Sequence, residues 1–350
     1  MTTLGIYDTA VLTRTVNRLD KQPPLFLLNL CFNLVQFSEN ERIYFDVEKI
    51  RPRIAPFVAP HLPGKIIEEI GYDTQDFKPA YVKPKTRLDP KGALKRVMGE
   101  ALTGNLSPEE RQLIRLNRAI DDHTLMLNRR EEVMVSEALR TGKTTVAGDG
   151  FATVLVDFKR DASLTVALAG NDKWNVVHDD SDPNTDLETM SGLSQSLGAG
   201  TTPWVIMAPD AWAAMRKRLA QRGELPPLGQ FPRTSGSVFE IGPQLMEKVQ
   251  YIGKIGAFEI WTYDDVYLDD AGVAQHMMPS GTVIGVSPAN LEGTRCYGLI
   301  EDEKSGLKSE RFFMKSWFEE DPPVRWLMSQ SAPLPVPYRP NSSWCLKVFG

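Results

Sequence analysis

Three stretches of this sequence set residue types at spacings that could hold a phosphate or a metal. The first is Gly142-Lys143-Thr144, the second half of a phosphate-binding loop. In such a loop glycines let backbone N–H groups cradle phosphates while the lysine reaches the outer ones. The motif needs its first glycine at position 137, and Glu137 stands there, a carboxylate that would repel phosphate. The loop should also follow a strand, whereas this one follows a helical pattern. The second stretch, "DDSDPNTDLE" (179–188), alternates Asp180, Asp182 and Asn184 like a calcium loop. Thr185 replaces its turn glycine, and Ser191 stands where the closing glutamate belongs. The third, "GAGTTP" (198–203), imitates a dinucleotide fingerprint but ends on Pro203 and precedes a strand pattern.

The remaining chemistry is sparse. His61, His123, His178 and His276 form neither HxH nor HExxH, so no metal site is expected. Cys31, Cys296 and Cys345 are far apart with no CxxC, which suits a reducing compartment without a disulfide framework. No G-x-S-x-G is present. The cationic run Lys78, Lys83, Lys85, Arg87, Lys91, Lys95 and Arg96 lacks a nucleic-acid reading motif and fits a charge patch between subunits better. With 42% hydrophobic and 24% charged residues and a net charge of −5, the 350-residue chain is not built to coat DNA. The expectation is a protein without catalytic residues, cofactor or metal.

The elements point to a scaffold for extended arms. "LFLLNLCFNLVQF" (25–37) is too short to span a bilayer and lacks a signal-peptide cleavage site. Asn29, Asn33 and Gln36 recur at helical spacing, so an amphipathic helix docking through Leu27, Leu30 and Leu34 is expected. Residues 43–98 carry prolines 52, 56, 60, 63, 79, 84 and 90 among short β-prone pieces such as Ile66–Ile70 and Ala80–Val82. They read as a two-stranded excursion with little core of its own, which must lie on something else. A long helix over 107–142 follows, with Ser107 as N-cap, Pro108 at its first position, Glu110 closing a capping box and Gly142 ending it. Residues 151–170 read as two strands joined by a turn at Lys159–Asp161, and Thr185–Glu188 as a second capping box. Strands are expected at 202–208, 257–263 and 281–287, a helix at 209–223, and long Pro-terminated strands near the end. The class is α+β, with a small mixed domain inserted into a body of long helix and long strands. Arms too poor in core to fold alone are usually buried on neighbours, so self-assembly is expected.

"FKPAYVKPKTRLDP" (77–90), "SEALRTGKTTVAGDGF" (136–151) and "QSAPLPVP" (330–337) resemble the lambda-type major capsid protein E family of tailed bacteriophages. The resemblance implies the Hong Kong 97-type capsid fold. On it, 1–42 is an N-arm, 43–98 an extended E-loop, and 99–175 a P-domain with its spine helix at 107–142. Residues 176–305 are an A-domain, 306–337 the returning P-domain strands, and 338–350 a C-terminal tail. It implies pentamers and hexamers in an icosahedral head that encloses double-stranded DNA, assembled in the host cytoplasm. Scaffold, portal and decoration proteins are the implied partners, with no membrane. Phe77, Lys78, Tyr81, Val82, Lys83 and Lys85 would then face a neighbouring subunit. Two alternatives stand beside this reading: a cellular nanocompartment shell of the same fold, and a metal-dependent hydrolase using the Asp180–Glu188 cluster.

Overall fold

The computed structural model describes residues 25–40, 42–48, 54–58, 63, 72–97, 100, 106–148, 150–223, 244–246, 248–321 and 323–349. In chain order it begins with helix α1 (Phe26–Cys31) and strands β1 (Leu34–Phe37), β2 (Ile43–Glu48), β3 (Tyr72–Phe77) and β4 (Lys85–Leu88). The long helix α2 (Pro108–Thr141) leads to β5 (Lys143–Gly148), β6 (Phe151–Asp157), β7 (Thr165–Ala167) and helix α3 (Pro183–Ser196). Then come β8 (Trp204–Met207), helix α4 (Pro209–Gln221), β9 (Gln244–Met246), β10 (Val249–Ile255), β11 (Phe258–Tyr263), β12 (Val266–Leu268) and β13 (Ala274–His276). The last elements are β14 (Thr282–Val286), helix α5 (Pro288–Leu291), β15 (Gly293–Tyr297), β16 (Phe313–Glu319), β17 (Val324–Gln330), β18 (Pro333–Pro337) and β19 (Ser343–Lys347).

Local chemistry sets both ends of α2. The Ser107 hydroxyl accepts from the Glu110 N–H at 3.2 Å, and the Glu110 carboxylate accepts from the Ser107 N–H at 2.7 Å. Gly142 closes the helix at φ +69°, its N–H donating to the Ala138 carbonyl. Thirty-four residues at the usual rise make a rod about 50 Å long. Its apolar stripe is shared. Leu116, Ile120 and Leu127 pack under Met314 and Leu327 of the β16–β17–β4 sheet. Met134 and Ala138 meet Ile43, Phe45, Phe77, Leu334 and Val336. Val135 and Leu139 join the largest core, which holds α1 and the seven-stranded sheet.

That sheet has the order β7-β19-β14-β8-β11-β10-β9. Val205, Ile206, Met207, Ile260, Val283 and Ile284 make it apolar on both faces, as a covered central sheet must be. Its composition corrects two expectations. Residues 338–350 are no tail, because β19 lies between β7 and β14 with Trp344, Cys345 and Leu346 buried. The mixed unit therefore reaches beyond 176–305, taking β7 and β19 from outside that range.

Other expectations shift for local reasons. The two strands in 151–170 form but do not pair: β6 makes a hairpin with β5, and β7 joins β19. The cap of α3 is Asp182, three residues ahead of the Thr185 box. Pro183 favours the first helical position, and the Asp182 carboxylate accepts from the Asn184 and Thr185 N–H groups. Residues 25–37 are not one helix; α1 ends at Cys31 and the chain turns into β1, parallel to β15. The 43–98 excursion has a cored root, since β2 pairs with β3 and buries Ile43, Phe45 and Phe77. Ile66–Ile70 lies outside the described residues. Of Ala80–Val82, only Val82 forms a bridge, to Ser331. In β18 the prolines fall at 333, 335 and 337, so all three nitrogens without N–H share one edge of a strand at the border of its sheet.

Candidate functional site

The sequence stretches that resembled binding loops spend their groups on structure. Lys143 pairs with Asp157 at 3.0 Å, and the Glu137 carboxylate accepts from the Thr145 N–H and hydroxyl at 3.1 and 2.7 Å. Asp182 caps α3 and also pairs with Arg222 at 2.9 Å, while Asp180 lies 3.1 Å from His178. Among the described residues no three or more His, Cys, Asp or Glu side chains are grouped to hold a metal. All three cysteines are free and buried. No helix among the described residues is long and apolar enough to cross a membrane.

The groups that organise the chain sit on the buried side of α2, each tying down a different segment. Arg111 pairs with Glu100 at 2.6 Å. His123 lies 2.7 Å from both the Thr86 hydroxyl of β4 and the Ser329 hydroxyl of β17, and burial pushes its imidazole pKa down. Glu131 accepts from the Tyr297 hydroxyl at 3.1 Å and from Arg311 at 3.2 Å. Glu132 accepts from the N–H groups of Leu27 and Leu28 at 2.8 and 2.9 Å and from the Tyr263 hydroxyl at 3.0 Å. Ser136 donates to the Met277 carbonyl at 2.5 Å. Beyond the helix end, Arg160 donates to the carbonyls of Leu139 and Arg140 at 2.5 and 2.7 Å, the cation that a helix C-terminus favours. A spacing signal was available for the acids: Leu127 and Glu131 lie four residues apart, on the face of the apolar stripe. "NRREEVM" nevertheless reads locally as a solvated charge run.

One of these ties has a pH signature. Hydrogen bonds from Arg111, Val97 and Leu106 hold the Glu100 carboxyl down at about 2, against an ordinary 4.5. The stabilisation is present above 4.5 and is lost as pH falls through about 2. A carboxyl NMR titration of Glu100 should therefore show its midpoint near 2. Arg111→Ala should raise it toward 4.5, and an unchanged midpoint would refute the assigned cause.

The residues expected to face a neighbour divide into two groups. Phe77 is buried within its own chain. Tyr81 is half-buried and its hydroxyl donates to the Leu299 carbonyl at 2.9 Å. Val82 exchanges two backbone bonds with Ser331 at 2.9 and 3.1 Å. These three stitch the segment to its own body, because β4 extends the β16–β17 sheet and carries the preceding residues onto it. Lys78, Lys83 and Lys85 are exposed. The Lys83 ammonium lies 4.6 Å from the Tyr81 ring centre, and that of Lys85 lies 3.9 Å from Trp326 and 5.0 Å from Trp317. Of the docking leucines, Leu27 is buried in the core and Leu30 packs partly against it. Leu34 is corrected: it is 58% exposed on β1, since the chain has left the helix by then.

The exposed apolar surface lies elsewhere. Ile54 is 93% exposed and Phe57 fully so. Val35 and Phe37 stand beside Leu34 on the free edge of β1, and Val154 and Leu155 stand on the β5–β6 hairpin. Patches of this kind, distributed over several extensions, are what a many-sided association surface needs.

Comparison with known proteins agrees with this geometry. The family model described as "Phage major capsid protein E" matches residues 8–348. The major capsid protein of Escherichia phage lambda is 28% identical over 337 residues, covering 95% of this chain and 96% of that protein. That of Escherichia phage N15 is 28% identical over 351 residues, covering 99% and 100%. Among solved structures, the putative capsid protein of a prophage of E. coli CFT073 matches at a TM-score of 0.72 with 22% identity, over 97% of this chain and 98% of that one. A phage-related protein from Bordetella bronchiseptica RB50 matches at 0.54 with 12% identity over 97% of each. The fold is the mixed α/β, Hong Kong 97-like capsid fold.

Proposed function

We propose, on the premise that the chain belongs to the phage major capsid protein E family, a division of labour among its parts in building the shell. The protein is a major capsid protein of the tailed-phage kind, a structural and non-enzymatic component of the virion head. Residues 1–42 act as the N-arm and 43–98 as the E-loop. Helix α2 is the spine of the P-domain, and the seven-stranded sheet is the heart of the A-domain. Copies associate as pentamers and hexamers around double-stranded DNA, with scaffold, portal and decoration proteins as partners.

The observation that carries this reading is the exposure of Ile54 and Phe57 on the excursion whose root is pinned to its own body. A phenylalanine left wholly in water forgoes about 2–3 kcal/mol of burial, and an isoleucine about 2. A second copy is the cover that a shell protein always has at hand. Lys83 and Lys85, held by aromatic rings rather than carboxylates, supply exposed positive charge beside it. Exposed ion pairs contribute less than about 1 kcal/mol each, so they tune salt dependence while the apolar contacts set strength.

The test is the double substitution Ile54→Ser, Phe57→Ser, expressed with the protein's scaffold and followed by circular dichroism, sedimentation and electron microscopy. The expected result is an unchanged folded signal with particles lost or broken by mild heating. Shells of normal yield and heat resistance would remove the role given to the excursion.

A further inference from the structure

Helix α2 buries two adjacent carboxylates and equips them differently. Glu131 has the Arg311 guanidinium at 3.2 Å. Glu132 is wholly buried, and no cation among the described residues lies within ion-pair distance of it. Its oxygens meet three neutral donors, the N–H groups of Leu27 and Leu28 and the Tyr263 hydroxyl. The segment 26–32 sits against Glu132 through the Leu27 and Leu28 N–H groups, and its Phe26, Leu27, Leu28, Cys31 and Phe32 are buried in one core.

The surrounding groups do not offset the burial. Asp265, just past β11, adds like charge, although Arg129 and Lys248 pair with it. Arg295 of β15 spends its guanidinium at the other end of the segment, on the carbonyls of Phe32 and Leu28 and the Asn29 side chain at 2.7, 3.2 and 2.8 Å. Burial keeps the Cys31 thiol and the Tyr263 hydroxyl neutral. The result is a carboxyl raised to about 7 in place of 4.5, with burial as the first cause and the three hydrogen bonds opposing it.

We propose that Phe26–Phe32 is a proton-controlled plug, seated firmly over Glu132 when that carboxyl is protonated and lifted more readily when it is ionised. Lifting the segment returns Glu132 to water, so the seated form holds the proton more tightly than the lifted form. Seating is therefore strongest below about 4.5 and weakens as pH rises through about 7. Strand β1 follows two residues after the plug, so the same proton sets how firmly Leu34, Val35 and Phe37 are presented at the sheet edge.

The test is hydrogen exchange, read by mass spectrometry on the unassembled full-length chain at pH 5.5 and 8.5 and corrected for intrinsic exchange. Peptides covering 26–37 should exchange at least about tenfold faster at the higher pH, while those from α2 and β14 stay level. Glu132→Gln should abolish the pH response and leave the segment protected at pH 8.5. Tyr263→Phe removes a donor to the ionised form and should speed exchange of 26–37 at pH 8.5 beyond wild type. A flat wild-type profile overturns the proposal, as does a Glu132→Gln variant that keeps the response. If Glu132→Gln does not fold, the wild-type profile and Tyr263→Phe decide, and a Tyr263→Phe segment no faster than wild type at pH 8.5 also overturns it.

Discussion

Trp344→Ala is expected to leave little or no folded protein. Trp344 is completely buried in β19, and its indole N–H donates to the Thr202 hydroxyl at 2.7 Å. Gly285 of β14 makes room for it: a Cβ on that glycine would lie 2.0 Å from the indole ring. Removing the ring costs about 3–5 kcal/mol in lost burial and residual cavity. Stranding the Thr202 hydroxyl adds about 1–3 kcal/mol. Against a whole-domain stability of about 5–15 kcal/mol, that is most or all of it. Urea unfolding followed by circular dichroism measures the loss. Trp344→Phe, which keeps most of the volume and loses the hydrogen bond, should cost much less. A normal yield and unfolding midpoint for Trp344→Ala would show that the strand contributes little.

Gly293→Ala is the second large effect, and it comes from adding a single carbon. A Cβ there would lie 2.1 Å from the Cys31 carbonyl oxygen and 2.9 Å from the Phe32 ring. The first obstacle is backbone, which cannot rotate away as a side-chain tip can. Overpacking of this kind costs about 1–3 kcal/mol when the surroundings yield. Here the easiest yield is for α1 and β1 to leave β15 together. Limited proteolysis should therefore open 25–37 first, while α2 and the seven-stranded sheet stay protected, and the thermal midpoint should fall. Wild-type resistance at 25–37 would mean that β15 moves instead of the segment.

These two sites differ in how visible they are in sequence. The long helix is legible because its signals are local: Ser107, Pro108 and Glu110 at one end, Gly142 at the other, and an apolar stripe between them. Strands β8, β11 and β14 are legible as short apolar runs bounded by turns. Strand β19 is not. "SSWCLK" follows a Pro-Asn pair, and its partners are set by β14 and β7, far back in the chain. The break between α1 and β1 is hidden for a related reason, since "LNLCFNLVQF" satisfies a helical period almost throughout and only the parallel pairing with β15 stops it. Phe77, Tyr81 and Val82 look like interface residues because prolines surround them. Nothing within the segment reveals that β17 offers its edge to β4. Glu131 and Glu132 sit in a charged run, and their burial depends on Tyr297, Arg311, Tyr263 and α1 arriving from four other places.

The place of β19 in the middle of its sheet also fixes a timetable. Strand β14 ends at residue 286 and β19 begins at 343, a gap of 57 residues in synthesis. At ordinary ribosomal speeds that is roughly 3 to 11 s during which the nascent chain holds β14 and β7 with an empty lane between them. The other six strands of the sheet all precede residue 287, and the remaining lane is the one that Ser343–Lys347 fill. A chain that stops before residue 343 therefore lacks a central strand of this sheet, and β7 and β14 lose the neighbour that joins them.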